Sequence, residues 1–161
     1  MSSFISKFSY TVDMNVLVNK TVRRSYEILD TLEAGIKLLG WEVKTLRKKH
    51  GSLKEAYITV DTEVWLVNCY IPLFQPGQKM HEGTDPYHKR KLLVSKKQIA
   101  SLKSSLKQKG LTIVPMRIYA KGQLLKIEIA IAKGKKNYDK RKDLKDRTSK
   151  RDAERAIKDY E

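Results

Sequence analysis

The sequence predicts a mainly β protein, a small antiparallel barrel that is closed or nearly closed, with one helix packed on it. Three observations carry this. Two stretches, around residues 56–71 and 116–131, alternate apolar and polar residues with the period of half-buried strands, and each is broken by a turn. Between them lies a run with helical spacing that has its own start and stop signals.

In the first hairpin, Ala56, Ile58 and Val60 alternate with Tyr57, Thr59 and Asp61, and Asp61-Thr62 makes a tight turn into a second strand over 64–71. On that strand Trp65, Val67, Cys69 and Ile71 are expected on the core face, Cys69 as a small hydrophobe rather than a nucleophile. In the second hairpin, Met116, Ile118 and Ala120 alternate before Gly122, and Leu125, Ile127, Ile129 and Ile131 alternate after it. The helix starts at Ser95 and Gln98, which form a capping box, carries Ile99, Leu102 and Leu106 as its apolar stripe, and stops at Gly110. Lys103 and Lys107 fall on its outer face. Gly77, Gly83, Pro76 and Pro86 make 75–88 a loop.

Three regions follow: a lead-in over 1–18 with no assigned structure, a barrel over 19–132, and a tail over 133–161. In the tail, 12 Lys or Arg and 7 Asp or Glu surround only Leu144, Ala153, Ala156 and Ile157 as clear aliphatics. So little apolar surface does not offset the entropy of ordering, and the tail is expected to be disordered when free. It has no proline, one glycine and many helix formers, so it is expected to become helical on a partner that neutralises its charge.

The whole chain of 161 residues carries 34 Lys and Arg against 18 Asp and Glu, a formal net charge of +16. Such a field draws polyanions. Cys69 is the sole cysteine, which rules out an intrachain disulfide and suits a reducing compartment. There is no apolar stretch of signal-peptide or membrane-span length, so a cytoplasmic protein without a membrane partner is expected. Nucleotide loops of the GxxxxGK[ST] or GxGxxG kind are missing from the sequence, as is a Gly-x-Ser-x-Gly turn. His50, His81 and His88 with one cysteine do not make a zinc site, and the set His81, Asp85, His88 lies in the Gly/Pro loop. No enzyme, cofactor or metal is expected.

What remains is basic residues interleaved with aromatics at the ends of core strands. Lys20, Arg23 and Arg24 precede Tyr26; Lys89, Arg90 and Lys91 precede an apolar strand; Lys133, Lys135 and Lys136, around Gly134, lead to Tyr138. Lysine and arginine hold phosphates, and tyrosine rings stack on unpaired bases, which points to RNA. Charge and strand pattern alone fit a generic OB-like ribosomal protein or initiation-type factor as well.

The strings Glu33-Ala34-Gly35-Ile36, Gly40-Trp41-Glu42-Val43-Lys44 with Arg47, His50-Gly51-Ser52-Leu53, Asp85-Pro86, Arg90-Lys91-Leu92-Leu93, Ala132-Lys133-Gly134-Lys135-Lys136 and Asp139-Lys140-Arg141 stand in an order that resembles the SmpB (small protein B) family, the partners of transfer-messenger RNA. The resemblance covers roughly 19–158. It implies an OB-like six-stranded antiparallel barrel with short flanking helices and a disordered basic tail. It further implies a monomer that binds the tRNA-like domain of transfer-messenger RNA and delivers it to the A site of stalled 70S ribosomes, the tail sensing the empty messenger channel.

Carried over by motif, Asn19, Lys20, Arg23, Arg24, Tyr26, Glu33, Ala34 and Gly35 are the candidates for the RNA elbow. Lys44, Arg47, Arg90, Lys91, Lys133, Gly134, Lys135 and Lys136 are candidates for RNA contact beyond it. Tyr138, Asp139, Lys140, Arg141, Lys145, Arg147, Arg151, Arg155 and Ile157 are implied to meet the ribosome. The chain departs from the family pattern in two places: Tyr138 stands where many members have His, and no Trp or Phe lies near Ser149.

Overall fold

The computed structural model describes residues 14–73 and 84–158. Seven strands form one sheet: β1 (Met14–Val18), β2 (Tyr26–Ile36), β3 (Tyr57–Val60), β4 (Val64–Val67), β5 (Arg90–Leu93), β6 (Leu111–Lys121) and β7 (Leu124–Gly134). Their order is β1-β6-β7-β2-β5-β4-β3, and every neighbouring pair is antiparallel. Four helices flank the sheet: α1 (Val22–Ser25), α2 (Gly40–Arg47), α3 (Lys96–Leu106) and α4 (Asn137–Lys158).

The β6–β7 hairpin closes between Lys121 and Leu124 on a two-residue turn, with Gly122 at φ +62 supplying the left-handed backbone that such turns need. Three register shifts bend the sheet: Val16 is the extra residue on β1, Leu29 on β2 and Met116 on β6. The β6 shift follows Pro115, which has no N–H to give the ladder. Bulges add twist and curl, and the sheet curls until β3 packs near β6. Among the described residues no ladder joins the two ends, so the barrel stays open.

The mainly β, antiparallel architecture is as the sequence predicts. The strand count is seven rather than six, and the extra strand is β1, from the lead-in left without structure. Val16 and Leu17 there are buried, and β1 pairs with β6 along the edge of the sheet. A five-residue strand with one bulge shows too little alternation to stand out.

The core fills the curl with Leu17, Ala34, Ile36, Trp41, Leu46, Leu53, Ile58, Leu66, Cys69, Ile71, Leu92, Leu102, Ile118, Ile127 and Ile129 among others. A smaller cluster of Val22, Val114, Ala130 and Ala132, with Tyr26, Ile28 and Met116 at its margin, seals α1 onto the opposite face. Met116 therefore does not share the face of Ile118: the bulge at Met116 switches the phase of β6.

A similar switch corrects the 64–71 strand. Val64 and Leu66 are wholly buried, whereas Trp65 and Val67 are only half-buried. Asn68, at φ +58, is left-handed and reverses the alternation, so that Cys69 and Ile71 are buried as expected. Burial pushes the Cys69 thiol up to about 11, well above its reactive range.

The capping box of α3 is present: Ser95 Oγ accepts from the Gln98 N–H at 3.3 Å, and the Gln98 side chain accepts from the Ser95 N–H at 2.8 Å. Most of the 75–88 loop lies outside the described residues.

Over the tail, α4 runs for 22 residues, the helical form expected of this segment on a partner. Its sequence offers acid-to-base pairs four residues apart, Asp143–Arg147, Asp146–Lys150 and Glu154–Lys158. Asp139 sits in the first turn and Arg155 and Lys158 in the last, which suits the helix dipole. The Lys135 ammonium pairs with Asp143 and ties the second turn of α4 back to the sheet.

Candidate nucleic-acid interface

The start of β2 and the end of β7 lie side by side, Tyr26 opposite Gly134 and Glu27 opposite Lys133. Immediately beyond the ladder, the Lys135 N–H donates to Ser25 O at 2.9 Å, and Lys135 Nζ reaches Arg23 O at 3.3 Å. Two basic clusters far apart in sequence thereby merge. Lys20, Arg23 and Arg24, all exposed, stand beside exposed Lys133 and Lys136 and half-buried Lys135. A Cβ built on Gly134 meets nothing within 4 Å, so the backbone there is open. Tyr26 is half-buried at the foot of the cluster.

From this edge the outer face of β2, β7, β6 and β1 carries a polar network. Glu33, Glu128 and Arg117 stand in one cross-strand row, and Gly35, Lys126, Tyr119 and Asn15 in the next. Arg117 Nε donates to Glu128 Oε2 at 2.6 Å, Arg117 Nη1 donates to Asn15 Oδ1 at 2.8 Å, and the guanidinium lies 4.7 Å from the centre of the Tyr119 ring. The Tyr119 hydroxyl donates to Glu33 Oε2, and Lys121 Nζ lies 3.3 Å from both Glu33 oxygens. The hydrogen bond from Tyr119, and after it Lys121, hold the Glu33 carboxyl below its ordinary value against the opposing effect of burial. The result is an ionised, partly exposed carboxylate on a basic face.

Not every residue proposed from sequence lies on this face. Asn19 is buried: its Nδ2 donates to Leu53 O at 2.9 Å and Pro115 O at 3.2 Å, and its Oδ1 accepts from the Thr21 N–H and hydroxyl. It locks the turn that presents Lys20 and Arg23. The Ala34 side chain is in the core. Gly35 serves packing: an added Cβ would stand 3.0 Å from Leu93 Cβ on β5.

Arg90 is the clearest correction. It is wholly buried, with Nε 2.6 Å from Glu42 Oε1, Nη1 donating to Cys69 O at 2.7 Å and His88 O at 3.0 Å, and Nη2 donating to Pro86 O at 3.0 Å. Glu42, equally buried, also accepts from the Leu39 N–H at the start of α2 and lies 3.4 Å from His88 Nε2. This pair staples α2 to β5 beneath the surface.

Lys44, Arg47 and Lys91 lie elsewhere. Lys44 and Arg47 are exposed on α2, and Arg47 Nη2 donates to Gln123 O in the β6–β7 turn. That turn is a strand's length from Gly134, roughly 33 Å at about 3.3 Å per residue. Lys91 stands opposite Trp65 and pairs with Glu63. Of the tail residues, Asp139, Arg141, Lys145, Arg147, Arg151, Arg155 and Ile157 are exposed along α4 and Lys140 is half-exposed; the Tyr138 side chain is outside the described set.

Sequence reasoning missed Asn15, Arg117, Tyr119, Lys121, Lys126 and Glu128. The signal was present: Arg117, Tyr119 and Lys121 interleave Ile118 and Ala120, and Lys126 and Glu128 interleave Ile127 and Ile129. The alternation that locates the core also locates the opposite face, on which Glu33 stands.

An open β-sheet with a charged and aromatic outer face, edged by six clustered Lys and Arg residues, defines a nucleic-acid-binding protein. The family model described as SmpB protein matches residues 16–159, and the chain belongs to that family. It is similar to the SsrA-binding protein of Sulfurihydrogenibium sp. (strain YO3AOP1), with 47% identity over 89% of this chain and 93% of the relative. The SsrA-binding protein of Streptococcus thermophilus (strain ATCC BAA-491 / LMD-9) is 44% identical over 89% of this chain and 92% of the relative. Among solved structures, one described as "tmRNA-SmpB: a journey to the center of the bacterial ribosome" superposes with a TM-score of 0.64 at 40% identity, covering 76% of this chain and 86% of that one.

Proposed function

We propose that the chain binds the tRNA-like domain of transfer-messenger RNA and brings it to the A site of stalled ribosomes for trans-translation. It acts as a monomer in the cytoplasm and by binding alone, with no cofactor and no catalytic step. The observation that carries the reading is the junction at Lys135, where α1, the β2–β7 ladder and α4 meet and the two basic clusters become one. Family membership supports the choice of RNA, and the SsrA-binding relatives and the tmRNA–SmpB structure support the ribosomal setting.

In this reading Lys20, Arg23, Arg24, Lys133, Lys135 and Lys136 hold phosphates, while the Glu33–Tyr119–Lys121 group and Tyr26 meet the elbow. Asn19, Ala34, Gly35 and Arg90 position those groups and touch no RNA. Lys44, Arg47 and Lys91, off the main face, meet a second stretch of RNA or the ribosome. The barrel over 19–132, with β1 now part of its sheet, recognises RNA, and the segment over 133–161 meets the messenger channel. Among the described residues no helix is long and apolar enough to cross a membrane.

Sequencing the RNA that copurifies with the protein from a bacterial lysate tests the reading. One dominant RNA of transfer-messenger type is expected; bulk ribosomal RNA in its place overturns it.

A further inference from the structure

Between α1 and the outer face of the sheet lie two adjoining recesses that share Arg23, Met116 and Glu128. Tyr26, Glu27, Ile28, Thr31 and Lys135 complete one, and Val18, Lys20 and Arg117 are among the residues lining the other. The floor is apolar, from Met116, Ile28 and Val18, because the β6 bulge turns Met116 outward here. The lining is mainly cationic, from Lys20, Arg23, Arg117 and Lys135, with Glu27 as its other carboxylate. Glu128 is the carboxylate at the centre, its side chain about a quarter exposed.

The two carboxylates of the row differ in what they have left to offer. Both Glu33 oxygens are engaged, by Tyr119 and Lys121. Glu128 spends Oε2 on Arg117, and among the described residues its Oε1 has no partner. Each carboxylate oxygen has two lone pairs, so Glu128 retains the capacity to accept two parallel N–H bonds.

We propose that this recess is a nucleobase site that takes one unpaired guanine of the bound RNA, read by Glu128. Guanine is the base whose Watson–Crick edge presents two adjacent donors, N1–H and N2–H, matching a carboxylate. Adenine and cytosine place a ring-nitrogen acceptor beside their single amino donor, and uracil flanks its N–H with two carbonyls. Each of these sets a lone pair against the carboxylate. Met116 and Tyr26 supply the polarisable and aromatic surfaces against which a base ring packs. Arg23, Lys20 and Lys135 stand where the flanking phosphates pass. Arg117, through its Nε, holds the Glu128 carboxylate in orientation.

The inference rests on the RNA-binding reading above and adds the base and the residue that selects it. The test pairs a change in each partner. In the tRNA-like domain of transfer-messenger RNA, each guanine is replaced singly by inosine, which lacks the N2 amine, and affinity is measured for the wild-type chain and for Glu128→Ala. At one unpaired guanine, inosine is expected to weaken wild-type binding roughly 5- to 100-fold. Glu128→Ala is expected to weaken binding of the unmodified RNA similarly and to be indifferent to inosine at that position. If Glu128→Ala does not fold, Glu128→Gln replaces it: the amide oxygen still accepts from Arg117 but no longer offers two acceptors to the base, so the same loss of sensitivity is expected. Inosine penalties that are absent, or the same in variant and wild type, overturn the guanine site while tight wild-type binding leaves the broader reading intact. A wild-type chain that binds this RNA no better than random-sequence RNA overturns both.

Discussion

Glu33 and Glu128 stand directly opposite each other across the β2–β7 ladder, and each takes a different set of partners on β6. Like charges in facing positions destabilise a sheet unless something offsets them. Here Tyr119 and Lys121 take one and Arg117 takes the other, and Arg117 packs over the Tyr119 ring. The arrangement converts a repulsive pair into a continuous network of four β-strands' outward side chains, with Asn15 at its far end.

Removing the Tyr119 hydroxyl tests this network through acid stability. The Glu33 carboxyl is held below its ordinary value, chiefly by Tyr119. A depressed carboxylate contributes stability that is fully present above the ordinary glutamate value of about 4.3 and is lost as pH falls through the lower folded value. Tyr119→Phe raises the folded value toward the ordinary one, so part of that contribution disappears at neutral pH. Because Glu33 is about two-fifths exposed, the loss near pH 7 is expected to be about 0.5–1 kcal/mol. Thermal unfolding from pH 7 down to pH 3 should show the two proteins converging in acid; a constant gap across that range would mean that Glu33 is not the group affected.

Arg90 should behave as a core residue. Arg90→Ala leaves the buried Glu42 carboxylate without its main partner and is expected to cost about 3–5 kcal/mol. Replacing both, as Glu42→Leu with Arg90→Met, removes both charges together and should be less destabilising than Arg90→Ala alone. Urea unfolding of the three variants reads this directly. At temperatures where each is folded, RNA affinity should match the wild type; a selective loss of affinity with unchanged stability would return Arg90 to the RNA interface.

The contrast between Arg90 and Lys133 shows where sequence reading stops. Both occur in basic runs at strand ends, and the sequence makes them equivalent. Only the fold shows that Arg90 points inward to a glutamate 48 residues earlier, while Lys133 stays exposed. The two hairpins and the capped helix were legible because their patterns are local. The phase switches at Met116 and Asn68 were not, since a bulge and a left-handed residue leave no periodic signature of their own. Strand β1 was hidden for a related reason: its burial comes from β6, a hundred residues away.

Salt dependence should separate the phosphate-holding residues from the rest. Lys133→Ala, Arg23→Ala and Arg24→Ala are each expected to weaken RNA binding and to reduce the slope of log affinity against log salt by roughly one unit. Arg90→Ala should leave that slope unchanged. Binding titrations at four or five salt concentrations suffice, and a Lys133 variant with wild-type slope would remove that residue from the phosphate-binding set.

The last prediction concerns α4. Its aliphatic residues Leu144 and Ile157 are exposed, so the helix is held to the sheet mainly through Lys135–Asp143 and the contact with α1 near its start. Most helical stability in proteins comes from packing, so the far turns should fray and exchange their amides quickly in the free protein. On the ribosome, negatively charged RNA would offset Lys145, Arg147, Arg151 and Arg155, while Ala153, Ala156 and Ile157 share one narrow apolar stripe. Ala153→Pro with Ala156→Pro places two prolines inside this stretch, each costing roughly 3 kcal/mol in a helix. At about 1.5 Å per residue, Ala153 and Ala156 lie roughly 15 and 20 Å along the helix beyond Asp143, where it pairs with Lys135, so affinity for free RNA should not change. Tagging of incomplete chains on stalled ribosomes should be abolished. If the double variant tags at the wild-type rate, the helix is dispensable; if it loses RNA affinity instead, the tail and not the sheet is the main binding element.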